Sequence, residues 1–132
     1  MPIDYRIDHE KRLVLACSFG KLTDDEILAY QQDVWSRIDV AGYNEMVDLT
    51  AVEEFDTLSA SKMREIAALG ASLDLKDETA KTAMIASPGL NYGISRMYEV
   101  FRQLEPATTR TVRTFVSREE ALRWLGVDDD ET

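Results

Sequence analysis

Residues 44–63 read NEMVDLTAVEEFDTLSASKM, and their reading decides the fold because strand, acidic turn and helix start follow one another in quick succession. Met46-Val47-Asp48-Leu49 has strand composition and is closed by Thr50, whereas Ala51 to Asp56 is too acidic and too broken in period to extend a strand. A helix is therefore predicted to begin near Asp56 and to run from about Thr57 to Leu73, with Leu58, Met63, Ile66, Ala67 and Leu69 facing inward. Thr57 and Ser59 fall where a helix presents unpaired N–H groups, which together with the helix dipole favour hydroxyls and anions. Each hydroxyl is a candidate cap and a candidate phosphoacceptor.

Upstream, Ile3, Tyr5 and Ile7 alternate with Asp4, Arg6 and Asp8, the pattern of a half-exposed strand. The short polar turn His9 to Lys11 makes the apolar run Arg12 to Phe19 its antiparallel hairpin partner, ended by Gly20. Cys17 lies in that run and is expected to be buried, while His9 is expected on the surface. Thr23 stands three residues before Glu26, a capping box that opens a helix with Tyr30, Val34 and Trp35 on its apolar side.

Downstream, Gly70 is a candidate either for close approach of a neighbour or for an early end of the helix, and Asp74 to Lys81 reads as an outer loop. Lys81 to Ser87 reads as the fourth strand and Asn91 to Leu104 as the third helix, with Ile94, Met97, Tyr98, Phe101 and Leu104 assigned to the core. Arg110 to Val116 is the fifth strand, and a second capping box at Ser117 opens a short helix closed by Gly126. The order implies an α/β fold: a five-stranded mixed sheet with an antiparallel N-terminal edge strand followed by four β-α units with right-handed crossovers. Asp4, Arg6, Asp48, Thr82, Arg113 and Thr114 interrupt the strands, so the helices are expected mainly on one face. The other, partly bare face is then a plausible homodimer or partner surface.

A chain of 132 residues with 45% apolar content fits one domain, read as residues 1–126 with an acidic disordered tail over 127–132. A formal net charge of −10 argues against nucleic acid and against an anionic membrane surface as partners. One cysteine and one histidine leave no internal disulfide and no Cys/His metal set. Without a secretory h-region or a membrane-length apolar run, the expectation is a cytoplasmic protein with no membrane insertion. No motif supplies an activated nucleophile or a paired acid and base, so neither an enzymatic activity nor a cofactor is expected.

Three local patterns carry a family resemblance. Val47-Asp48-Leu49-Thr50 followed by Phe55-Asp56-Thr57-Leu58-Ser59 resembles the strand, turn and phosphoacceptor-bearing helix start of the bacterial SpoIIAA-like, or STAS, family of anti-sigma factor antagonists. Residues 87–98, SPGLNYGISRMY, and 114–126, TFVSREEALRWLG, are similar to segments of a SpoIIAA-like subgroup of small uncharacterised bacterial proteins. Where the antagonists carry Asp-Ser-Ser-Gly, this chain has Asp56-Thr57-Leu58-Ser59, with Thr57 at the acceptor position and the second serine and the glycine missing. The resemblance implies a regulatory protein-interaction module that recognises a partner through Glu53, Glu54, Asp56, Thr57 and Ser59. The alternative is a small-molecule or lipid-like ligand domain, as the family's likeness to lipid-carrier domains implies. Its site would include Asn91, Tyr92 and Arg96, beyond the carboxyl end of a strand.

Overall fold

In the computed structural model, which describes residues 3–56, 59–76 and 79–127, the element order is the expected one. Strands β1 (Ile3–Asp8) and β2 (Leu13–Thr23) lead into helix α1 (Asp24–Trp35) and a 3-10 turn over Ile38–Val40. There follow β3 (Asn44–Asp56), α2 (Ala60–Leu73), β4 (Lys81–Ile85), α3 (Leu90–Leu104), β5 (Thr111–Phe115) and α4 (Arg118–Leu125). The strands lie side by side in chain order, β1 antiparallel to β2 and the rest parallel.

The helix boundaries follow from their caps. Thr23 Oγ1 accepts from the Glu26 N–H at 3.2 Å while Glu26 Oε1 accepts from the Thr23 N–H at 2.9 Å, the reciprocal pair that starts α1. Ser117 Oγ accepts from the Glu120 N–H at 3.2 Å to start α4, and Gly126, left-handed at φ 76°, ends it.

Helices α1, α2 and α3 pack against one another on one face of the sheet, and α4 covers β4 and β5 on the other. The strand interruptions sort cleanly between the two faces. Asp4, Arg6, Asp48 and Arg113 lie on the α4 side, in register with Leu15, Cys17, Met46 and Ala83, where α4 leaves the β1–β2 end of the sheet wet. Thr82 and Thr114 lie on the covered side and are buried.

Two local expectations are corrected. The acidic segment after Thr50 does not leave the sheet. β2 and β3 both continue past the end of β4, pairing Phe19 with Ala51, Lys21 with Glu54 and Thr23 with Asp56, and α2 starts only after Ser59. Leu22, Leu49 and Val52 close over a small core there, so one side of this ribbon is paid for by burial while Glu53 and Glu54 stay in water. Cys17 is exposed, because α4 does not reach β2 at that point. Partial desolvation, then the Asp48 and Asp4 carboxylates, push its thiol up, which makes it a poor nucleophile.

Candidate functional site

Four parallel strands end at one edge, the carboxyl rim where open α/β sheets present their loops. Most of the residues singled out in the sequence gather here. Glu53 and Glu54 are exposed on the β3 extension, and Asp56 Oδ2 lies 3.8 Å from Lys21 Nζ. Ser59 caps α2, its Oγ accepting from the Lys62 N–H at 3.2 Å. Thr57 lies outside the described residues, as do residues 128–132 of the acidic tail.

The β4–α3 turn ties down the edge of the ribbon. Asn91 Nδ2 donates to the Val52 carbonyl at 3.0 Å and to the Leu49 carbonyl at 3.5 Å, and Ser87 Oγ donates to the Thr50 carbonyl at 3.4 Å. Those carbonyls belong to the part of β3 that β4 no longer pairs, so side chains stand in for a missing strand. Tyr92 is half-buried with its N–H on the Ser87 carbonyl, and the exposed Arg96 pairs with Glu99 at 3.2 Å. Asn91 thus shares the rim with the acidic group, while the Arg96 guanidinium is turned to its own helix. At the same end of the sheet, Phe19, Leu90 and Val116 are 44%, 76% and 49% exposed.

A second constellation, beneath the helices, escaped the sequence. Glu45 accepts from Tyr30 Oη at 2.6 Å, Trp35 Nε1 at 3.2 Å and Thr82 Oγ1 at 2.9 Å. Asp74, just past α2, accepts from Arg102 Nη2 at 2.6 Å and from the Thr109 and Arg110 N–H groups at 3.0 and 3.1 Å. Arg102 Nη1 donates in turn to Tyr98 Oη at 2.8 Å, and the Arg110 guanidinium stacks 4.2 Å from the Trp35 ring. Glu99 accepts from the N–H and the hydroxyl of Thr114, joining α3 to β5. The buried side of α3 is therefore Ser95, Glu99 and Arg102, whereas Met97 and Leu104, assigned to the core from their spacing, are exposed. The only early sign of this seam was Gly70, at which a Cβ would sit 2.8–2.9 Å from Arg102 Nη1, Gln31 Nε2 and Tyr98 Oη.

The seam predicts lability in alkali. Burial and then the Glu45 carboxylate hold the Tyr30 phenol well above its ordinary value, and burial raises that of Tyr98. The unfolded chain releases both protons near pH 10 while the folded chain keeps them, so stability is full below that pH and falls above it. The slope is expected to approach about 1.4 kcal/mol per pH unit for each phenol. Urea melts between pH 8 and 11 measure it, and Tyr98→Phe should reduce the slope by about half; a stability flat to pH 11 would contradict the burial of both hydroxyls.

No protein-family model matches the chain, and no curated protein sequence matches it. Solved structures do. An uncharacterised protein of the DUF3478 family with a SpoIIAA-like fold, from Shewanella loihica PV-4, superposes with a TM-score of 0.59 at 16% identity over 93% of each chain. The anti-sigma factor antagonist SpoIIAA in its unphosphorylated form superposes with a TM-score of 0.52 at 14% identity over 94% of this chain and 97% of its own. The fold is thus SpoIIAA-like, as the resemblance in sequence implied, and at such identities the likeness is one of architecture. Among the described residues, no helix is long and apolar enough to cross a membrane.

Proposed function

We propose that this domain is a non-enzymatic regulatory module that binds a protein partner at the carboxyl rim of its sheet, through Glu53, Glu54, Asp56, Thr57 and Ser59. The observation that carries the reading is that the exposed Glu53 and Glu54 share the edge with two exposed apolar side chains, Phe19, whose residue pairs with Ala51, and Leu90, next to the Asn91 that bonds the Val52 carbonyl. Exposed apolar side chains together with charge on one edge suit a recognition surface. The fitting partner presents lysines and arginines around an apolar patch, since a domain of net charge −10 attracts such a surface and repels an acidic one. That a protein of the same architecture, SpoIIAA, is an anti-sigma factor antagonist supports a regulatory role. A phosphate on Thr57 or Ser59 would add nearly two negative charges to the same surface and so supply a means of control.

The test is a photocrosslinking residue at position 53, with one at the exposed Gln32 of α1 as control. One partner should be captured from position 53 alone, and the doubly charge-reversed Glu53→Lys, Glu54→Lys protein should bind the purified partner at least about tenfold more weakly, as should the native protein in high salt. Equal capture from both positions, or affinity indifferent to charge reversal, would exclude the rim.

A further inference from the structure

Helix α3 is turned inside out. Its buried positions are the polar Ser95, Glu99 and Arg102, whereas Leu90, Met97, Val100 and Leu104 are 76%, 40%, 45% and 71% exposed. A helix lying on a sheet ordinarily does the reverse and turns its apolar stripe to the core. Four of the nine exposed large apolar side chains among the described residues therefore stand on this one helix. Gly93 continues their stripe: it is exposed, and a Cβ there would meet nothing within 4 Å. Positions 90, 93, 97, 100 and 104 make the alternating three- and four-residue spacing by which one helix packs along another, with a glycine where the second backbone can come close. Single apolar residues on a surface need no partner, but a continuous stripe of about four turns marks an interface.

The stripe is symmetric about its middle. Leu90 and Leu104 lie seven residues to either side of Met97, and the half-buried Ile94 and Val100 lie three. Two such helices, antiparallel about a twofold axis at Met97, set Leu90 of each copy against Leu104 of the other and Ile94 against Val100. That is the self-complementarity a twofold interface requires. The charges agree with the direction. Helix α3 has no side-chain cap and no acidic residue in its first turn, and the antiparallel arrangement brings Glu105 of the second copy to that end, where the helix dipole favours an anion. Arg96, beside the axis, carries its own counter-charge in Glu99 at 3.2 Å.

We propose that the outer face of α3 is an interface between two copies of this chain, packed antiparallel about Met97. A bilayer suits the stripe less well, because a helix lying in a membrane surface keeps a basic face in water, and the face of α3 opposite the stripe is buried in the domain. The interface meets the acidic rim only at Leu90 and does not depend on a partner bound there.

Sedimentation equilibrium of the full chain from about 1 μM to 1 mM, the range in which a small interface is half-formed, tests the proposal. The native chain should pass from one chain mass to two. Met97→Lys, which sets two ammonium groups against each other on the axis, should weaken the association at least about a hundredfold. Ile38→Lys, at an apolar residue that is 92% exposed on another element, should leave it unchanged. Glu53→Lys, Glu54→Lys should not weaken it either, which separates this interface from the rim. Since each chain carries a charge of −10, added salt should tighten the dimer, the opposite of its effect at the rim. In a Cys17→Ser background, a mixture of Leu90→Cys and Leu104→Cys chains under a mild oxidant should form mixed disulfides faster than either chain links to itself. That ordering reads the direction of packing even if Met97→Lys folds poorly. A chain monomeric to 1 mM, a dimer indifferent to Met97→Lys, faster like-with-like disulfides, or a monomer that sediments with phosphatidylcholine vesicles instead would each overturn the assignment.

Discussion

Asp74→Ala is expected to lower the unfolding free energy by about 3–5 kcal/mol, the cost of leaving buried charge without its partner. The carboxylate ties together the end of α2, helix α3 and the approach to β5. It receives Arg102 Nη2 at 2.6 Å and two backbone N–H groups, and its second oxygen lies 3.7 Å from Arg110 Nε. The side chains of Arg102, Arg110 and Asp74 are 5%, 8% and 5% exposed, so water cannot take over when the carboxylate is removed. Asp74→Asn keeps an acceptor and loses the charge, and is expected to fall between the native chain and alanine. Arg96→Ala removes a half-exposed guanidinium from Glu99, whose buried carboxylate keeps both donors of Thr114, and should cost clearly less than Asp74→Ala. Urea unfolding of the three variants at neutral pH gives the order; an Asp74→Ala protein as stable as Arg96→Ala would show that the network carries little of the fold.

That network explains which parts of the structure were legible in the sequence. Strand order and helix starts rest on local signals, such as the Thr23 and Ser117 caps and the left-handed Gly126, and local signals survive packing. What an element faces is a tertiary property. The spacing of Met97, Tyr98, Phe101 and Leu104 defines a stripe on α3 but does not say that Glu99 and Arg102, one step round the helix, turn inward to Thr114 and Asp74. Thr82 and Thr114 looked like the wet face of the sheet for the same reason, since a threonine bonded to a buried carboxylate and one bonded to water have the same alternation. The acids at 53 and 54 looked like a turn because a parallel ribbon with one wet side has no more apolar residues than a loop. At the rim, the sequence located the residues and the structure added the exposed Phe19 on the neighbouring strand.

Glu45 is expected to be as sensitive as Asp74, by a different balance. Its carboxylate accepts from Tyr30, Trp35 and Thr82, and it acts on the buried Arg110 through space. Glu45→Leu therefore strands three donors and leaves the buried Arg110 with Asp74 as its remaining carboxylate, and about 3–5 kcal/mol should be lost. Arg110→Met alone should also be costly, because it leaves the Glu45 and Asp74 carboxylates facing one guanidinium fewer and takes a stacked group from Trp35. In Glu45→Leu, Arg110→Met together, the cation that has lost one of its two carboxylates is gone and the interior gains two apolar side chains. The pair should then be less destabilised than the sum of its single changes by about 1–3 kcal/mol, the coupling typical of side chains in one buried network. It should still fall short of the native chain, since the Tyr30, Trp35 and Thr82 donors regain no acceptor. Strict additivity in urea unfolding would mean that Glu45 and Arg110 act independently, and that the charge balance of the interior does not join β3 to β5 in the way their shared surroundings require.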